Sequence, residues 1–188
     1  METLSEINKK WHKKNKCELK KSATQPVFGD GPQNAQIVFI GEAPGKKEDL
    51  SGKPFIGSAG KFLAEMLEEV KLRREDVYIT NVVKYRPPNN RDPKPEEIAE
   101  CLPWLAEELN FIEPKIIVTL GRHALNRFFP EEKISEAHGK VLKRNVKGFN
   151  TENFFVLYHP AAALYNGSMR KTLIEDFKKL PKILKKLK

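Results

Sequence analysis

Four short apolar runs, rich in β-branched and aromatic residues, recur along the chain and predict strands. They read QIVFI (residues 36–40), VYITNVV (77–83), KIIVTL (115–120) and FFVLY (154–158). The runs are mostly apolar instead of alternating strictly with polar residues, which is typical of strands buried on both faces of a parallel sheet.

Helical periodicity fills the segments between these runs. Apolar residues recur at steps of three and four from Ser58 onward and again over residues 96–111, where Pro103 predicts a kink or a break into two pieces. A short helix is expected over residues 122–129 and a C-terminal helix from about Ser168. This alternation predicts the α/β class, with a three-layer α/β/α architecture around a central four-stranded parallel sheet.

Residues 131–153 interrupt the alternation and predict an irregular hairpin through Val141, Leu142 and Val146. The chain has 188 residues and no internal repeat or low-complexity linker. A chain of this length suits one compact core, so we expect a single domain over residues 1–188.

Polar and glycine-rich residues follow the predicted strands. Residues 41–45 (GEAPG) come after the first, Asn81 lies near the end of the second, and Gly121 and His159 follow the third and fourth. Ligands of parallel α/β sheets bind outside the carboxyl ends of the strands. We therefore expect the binding site at this edge of the sheet.

The glycines of residues 41–45 allow the backbone to approach a flat or anionic ligand closely, although a structural turn would use the same residues. The GxGxxG pattern of dinucleotide-binding proteins and the P-loop pattern are both absent from the sequence, which weakens the hypothesis of a nucleotide-binding oxidoreductase. Phe55 lies in a loop rich in polar residues and glycine. Its ring can offer a face to a flat ligand or fill the core.

Composition and charge narrow the class further. Hydrophobic residues make up 39% and charged residues 31%, which excludes a largely disordered chain and a fibrous one. The formal charge of +9 favours a polyanionic partner. Basic residues concentrate in residues 1–21 and 170–188, where a solvated lysine surface is the alternative to phosphate binding. No segment is typical of a membrane span or a secretory signal, so we expect an intracellular protein.

Five segments, in chain order, carry a resemblance to a known family. They read GEAPG (41–45), KEDLSGKPFIGSAG (47–60), YITNVVKYRPPNNR (78–91), IIVTLG (116–121) and YHPAAAL (158–164). Together they resemble the signature segments of family 4 of the uracil-DNA glycosylase superfamily, over roughly residues 17–180.

The resemblance implies that Phe55 stacks on an extruded uracil, that Asn81 hydrogen-bonds its edge, and that His159 stabilises the negative charge developing on uracil O2. The alternatives are a turn cap for Asn81 and a structural role for His159. Glu42 and Glu48 are the carboxylates left to position water or to brace the loop. The substrate-binding residues expected from the resemblance are Gly41, Ala43, Gly45, Phe55, Asn81 and Asn90.

The resemblance also bears on Ala43, Asn90 and the remaining histidines. Ala43 stands where other branches of the superfamily carry a water-orienting aspartate, which family 4 also lacks. Asn90 matches a position that braces the acidic loop. The remaining histidines, His12, His123 and His138, are interpreted as structural or solvent-facing.

Base extrusion requires a side chain that fills the gap in the duplex. Leu164, helped by Tyr165, is the expected wedge, and the alternative is that this segment forms the packed first turn of the last helix. The residues expected to hold DNA phosphates are Lys53, Lys84, Arg86, Arg91 and Arg170.

Members of family 4 usually hold a [4Fe-4S] cluster on four cysteines. The matching positions here are Lys14, Cys17, Tyr85 and Cys101, so only two ligands are present. Cluster binding calls for thiolates, and the sequence therefore predicts no intact cluster and no other cofactor or metal. The two cysteines are expected either to form a disulfide or to remain inert buried thiols.

The leading hypothesis is a monomeric DNA-repair glycosylase that flips uracil out of DNA, hydrolyses its N-glycosidic bond and leaves an abasic site. It would act on chromosomal DNA in the cytoplasm. The second hypothesis is a catalytically weak module that binds uracil or abasic sites in DNA.

Overall fold

The structure is a computed structural model that describes residues 3–187; Met1, Glu2 and Lys188, at the ends of the predicted domain, lie outside the described residues. The strands are β1 (Ile37–Gly41), β2 (Tyr78–Asn81), β3 (Ile116–Leu120), β4 (Val141–Lys143) and β5 (Asn153–Leu157). The helices are α1 (Leu4–Lys14), α2 (Lys46–Ser51), α3 (Ser58–Glu69), α4 (Pro95–Ile112), α5 (Arg122–Phe128), α6 (Ile134–Ala137), α7 (Ala162–Tyr165), α8 (Ser168–Phe177) and α9 (Leu180–Lys186). Among the described residues, no helix combines the length and apolar character that crossing a bilayer requires.

The strands form one sheet in the order β2-β1-β3-β5-β4. The four predicted strands are present and run parallel. The sheet also has a fifth strand, β4, where the sequence predicts part of an irregular hairpin through Val141 and Leu142. It pairs antiparallel with β5 and places Leu142 opposite Phe154. The predicted hairpin is therefore present at Val141 and Leu142, but its second arm is β5, and Val146 belongs to no strand.

Both faces of the sheet are covered, as the apolar runs require. Val38 and Ile40 of β1 enter a core with residues of α1, α4 and α5. Ile37 and Phe39 of the same strand enter a second core with residues of α3, α8 and α9. Alternate residues of a strand point to opposite faces. The predicted three-layer α/β/α architecture is therefore confirmed.

The long helix α4 is unbroken although it contains Pro103, so the predicted break into two pieces is wrong. A proline inside a helix removes one N–H donor and leaves the carbonyl four residues earlier without its usual partner. Pro103 and Ala99 are both exposed, and water can therefore hydrogen-bond the freed carbonyl.

Candidate active site

A cavity of about 790 Å³ lies at the carboxyl ends of the parallel strands, a size that suits a small ligand. Its walls come from the loops that follow β1, β2, β3 and β5, which are far apart in the chain. The predicted site residues that line it are Glu42, Ala43, Gly45, Glu48, Phe55, Asn81, Asn90, Arg91, His159 and Tyr165.

Phe55 and Asn81 meet beside Gly41 on one wall of this cavity. Gly41 and Asn81 are paired neighbours on β1 and β2. A Cβ atom at position 41 would lie 2.5 Å from Asn81 Oδ1 and 2.6 Å from Phe55 Cζ, so glycine is needed for both side chains to lie here. Phe55 has a φ of 52°, which non-glycine residues rarely adopt. Arg74 holds this backbone by donating hydrogen bonds to the carbonyl oxygens of Pro54 (2.6 Å) and Phe55 (3.4 Å).

The side chain of Asn81 is buried and has one unused acceptor. Its Oδ1 has no hydrogen-bond partner among residues 3–187. An unpaired buried acceptor costs about 1–3 kcal/mol. Because Asn81 lines the cavity, a ligand with an N–H group can supply the missing donor.

His159 follows β5 and faces Phe55, with 5.6 Å between the ring centroids. Its Nδ1 accepts a hydrogen bond from the backbone N–H of Ala161 at 3.1 Å. Burial, and to a smaller extent the neighbouring His123, lower the pKa of His159 to about 4. The ring is therefore neutral at physiological pH and carries its proton on Nε2, as a donor. Gly121 allows this position, since a Cβ atom there would lie 2.9 Å from the His159 Cβ.

Glu42, Asp92 and His123 form a second polar group in the cavity. His123 Nδ1 lies 3.3 Å from Glu42 Oε1, and its Nε2 lies 3.4 Å from Asp92 Oδ2. Nε2 also accepts a hydrogen bond from Arg122 Nε at 3.1 Å, so the proton of the neutral ring lies on Nδ1 and faces Glu42. Burial, followed by the charge of Asp92, raises the pKa of Glu42 to about 7, against the opposing charges of Arg127 and Arg122.

His123 was interpreted as structural or solvent-facing, and the structure adds that it lines the cavity. It lies two residues after Gly121, at the carboxyl end of β3, so the strand-end rule could have found it. One oxygen or nitrogen atom from each of Glu42, Asp92 and His123 lies within 4.8 Å of the other two, so these three residues could hold a metal ion.

Glu48 braces the loop that carries Phe55. Its Oε1 accepts hydrogen bonds from the backbone N–H groups of Ile56 (3.0 Å) and Gly57 (2.7 Å). Of the two roles considered for Glu48, this geometry favours bracing over positioning water. Asn90, which was expected to brace the acidic loop, lines the same cavity. Its Oδ1 accepts a hydrogen bond from Arg86 Nε at 2.7 Å.

The comparisons with known proteins agree with this geometry. A family model described as the Uracil DNA glycosylase superfamily matches residues 28–188. The chain belongs to this superfamily. Three relatives described as type-4 uracil-DNA glycosylases are similar over nearly the whole chain. The relative from Saccharolobus solfataricus is 47% identical and covers 98% of this chain and 88% of its own. That from Archaeoglobus fulgidus is 49% identical and covers 96% and 92%, and that from Sulfurisphaera tokodaii is 46% identical and covers 96% and 84%.

Two apolar side chains of this uracil-DNA glycosylase superfamily member project into solvent beside the cavity. Leu164 is 50% exposed and Tyr165 is 90% exposed. They belong to α7, a separate short helix in which no residue is buried. The alternative of a packed first turn of the last helix is therefore wrong.

The candidate phosphate-binding residues have different surroundings. Lys53 is exposed, and Arg91 makes two hydrogen bonds to Glu97, at 2.6 and 2.9 Å. The guanidinium of Arg170 lies 4.4 Å from the centre of the Phe62 ring, outside the cavity lining.

Lys84 does not lie on the surface, so the expectation that it binds phosphate is corrected. Its Nζ is buried and lies 2.6 Å from Glu108 Oε2. It also donates to Thr80 Oγ1 and, at 3.0 Å, to the backbone carbonyl of Asn81. A lysine in a mostly apolar segment is readily taken for a surface residue when its buried acidic partner is 24 positions away.

Proposed function

We propose that this protein is a monofunctional uracil-DNA glycosylase that hydrolyses the bond between uracil and deoxyribose in DNA and leaves an abasic site. The observation that carries the proposal is the buried Oδ1 of Asn81, which has no partner among residues 3–187 and lies in a cavity that Phe55 and His159 also line. The names of the relatives, type-4 uracil-DNA glycosylase, support the same activity.

The base is held by complementary hydrogen bonds. Asn81 Oδ1 accepts from uracil N3–H and its amide donates to O4, while the Phe55 ring stacks on the base. Gly41 leaves room for both side chains, and Glu48 fixes the loop that carries Phe55 through its bonds to Ile56 and Gly57.

The leaving group is stabilised by a neutral donor. When the bond between C1′ and N1 breaks, its electron pair goes to the uracil, and negative charge collects on O2. The Nε2–H of His159 donates to that oxygen, because Nδ1 is already bonded to Ala161 N–H. One such donor is worth about 10²–10³ in rate.

Water completes the reaction at C1′, and Glu42 is the carboxylate that places it. The ionised Glu42 accepts a water proton as the oxygen bonds to C1′, and the uracil anion takes up a proton after release. His123 orients Glu42 through Nδ1–H. Since burial and Asp92 raise the pKa of Glu42 to about 7, the rate is expected to increase with pH through this range.

DNA is bound by the basic surface around the cavity. Leu164 and Tyr165 fill the gap left by the extruded base. The DNA phosphates are bound by Lys53, Arg86, Arg91 and Arg170. The protein acts on each site as a monomer.

The test uses an oligonucleotide with a single uracil, followed by alkaline cleavage of abasic sites. Wild type is expected to release the base, and His159→Ala to lose about 10²–10³ in kcat. His138→Gln is the control, since His138 bonds Asp176 and does not line the cavity. If wild type binds the uracil-containing strand and leaves it intact, the protein is the binding module of the second hypothesis and the enzyme proposal is wrong.

A further inference from the structure

Of the four positions at which the resemblance places cluster ligands, three lie in the core between α1 and α4. The buried free thiols of Cys17 and Cys101 are neighbours in this core. Lys14 is exposed at the end of α1. Tyr85 is 1% exposed and belongs to the same core.

These residues do not fit a [4Fe-4S] cluster. Such clusters are held by thiolates as a rule, and two of the four positions offer an ammonium and a phenol.

Tyr85 also fills the space next to the two thiols. Its ring stacks on Trp11 with 5.3 Å between centroids and 30° between planes. Its hydroxyl lies 2.9 Å from His12 Nδ1. Both cysteines are close enough to Tyr85 to influence its pKa. Position 85, where the family would supply a thiolate ligand, is therefore occupied by a packed and hydrogen-bonded ring.

Other contacts hold the N-terminal segment to α4 without a metal. Lys10 Nζ lies 2.9 Å from Glu107 Oε1. The backbone N–H of Lys16 donates to Glu100 Oε1 at 2.7 Å. The thiol of Cys17 faces the carbonyl oxygen of Glu97 at 3.9 Å.

We propose that protein side chains replace the family's iron–sulfur cluster in this chain: Tyr85, stacked on Trp11, holds α1 to the loop after β2, and the neighbouring thiols of Cys17 and Cys101 pack the segment after α1 against α4, so that the fold does not depend on iron. This inference is independent of the proposed glycosylase activity. Uracil excision can fail or succeed with either outcome here.

The first test is metal analysis of the full chain, expressed with ample iron and purified without oxygen. We expect no stoichiometric iron or acid-labile sulfide, and an unfolding midpoint that a strong iron chelator leaves unchanged. A stoichiometric cluster, or a midpoint that falls on chelation, would overturn the proposal.

The second test substitutes the two altered corners. Lys14→Cys combined with Tyr85→Cys supplies four cysteines, and reconstitution with ferrous iron and sulfide under anaerobic conditions is expected to give the visible absorbance of a cluster. Lys14→Cys alone is the matched control and is expected to stay colourless, because Tyr85 still fills the site. A coloured, iron-loaded control would show that Tyr85 does not exclude the cluster.

A third variant pair measures the stack itself. Tyr85→Phe keeps the ring and is expected to lower the unfolding midpoint slightly, whereas Tyr85→Ala removes the contact with Trp11 and is expected to lower it severalfold more. Equal midpoints for Tyr85→Ala and wild type would contradict a structural role for this tyrosine.

Discussion

The buried ion pair beneath the cavity gives a stringent test of the structure. Lys84 and Glu108 expose only 4% and 2% of their side chains, and their charged atoms lie 2.6 Å apart. Glu108 also accepts a hydrogen bond from the Tyr78 hydroxyl at 2.7 Å. The substitution Lys84→Met keeps most of the side-chain volume and leaves Glu108 as a buried charge without its cation.

Removing one partner of a buried pair costs about 3–5 kcal/mol. For a protein of this size, 1 kcal/mol shifts the unfolding midpoint by about 2–4 °C, so the expected loss is roughly 6–20 °C. Adding Glu108→Leu to Lys84→Met removes the uncompensated charge. The double variant is expected to recover part of this loss, while the Tyr78 hydroxyl remains without its acceptor at a cost of about 1–3 kcal/mol.

The measurement is thermal unfolding, combined with the salt dependence of DNA binding. Lys53→Met is the matched control, because Lys53 is exposed and a surface substitution usually changes stability by about 0.5 kcal/mol or less. If Lys53 contacts a phosphate, its loss lowers the slope of log K against log salt by about 0.9. Lys84→Met is expected to leave that slope unchanged. A variant at Lys84 with wild-type stability and a reduced slope would refute the buried pair and restore the phosphate contact.

Three other predictions address the cavity. Gly41→Ala is expected to lower kcat/KM sharply, because the new methyl group overlaps both side chains that hold the base. Gly167→Ala is the control and should match wild type, because nothing lies within 4 Å of a Cβ atom at that position. Equal kinetics of the two variants would count against the base site. Asp92→Asn removes a negative charge that raises the pKa of Glu42, so the acidic limb of the kcat–pH profile should move to lower pH. If the limb does not move, the ionisation of Glu42 is not what produces it. Leu164→Ala should leave the unfolding midpoint unchanged, because Leu164 is exposed. It should slow uracil excision from double-stranded DNA more than from single-stranded DNA, because only a duplex needs a wedge. An equal loss of rate on both substrates would argue against a wedge.

The sequence predicted the central sheet well because its strands are buried on both faces. Ile37 and Phe39 serve one core and Val38 and Ile40 the other, so the whole run is apolar and stands out from its surroundings. The edge strand β4 has neither property. Val141 and Lys143 are exposed, and Leu142 is half-buried. The pairing of β4 with β5 cannot be recognised from the sequence of β4 alone.

The location of the cavity was predictable for a topological reason, whereas the pairing of its charged groups was not. Parallel strands bring their carboxyl ends to one edge whatever the loops do, so Asn81 and His159 could be placed there from strand order alone. Which charges meet depends on how separate loops and helices pack. Glu108 lies on α4 and reaches Lys84 only because that helix covers β2, and His123 reaches Glu42 only because β1 and β3 are adjacent. The presence of a lysine near an active site, or of a histidine after a strand, therefore does not by itself predict what that residue does. Their roles in stability and in catalysis follow from partners that the fold supplies.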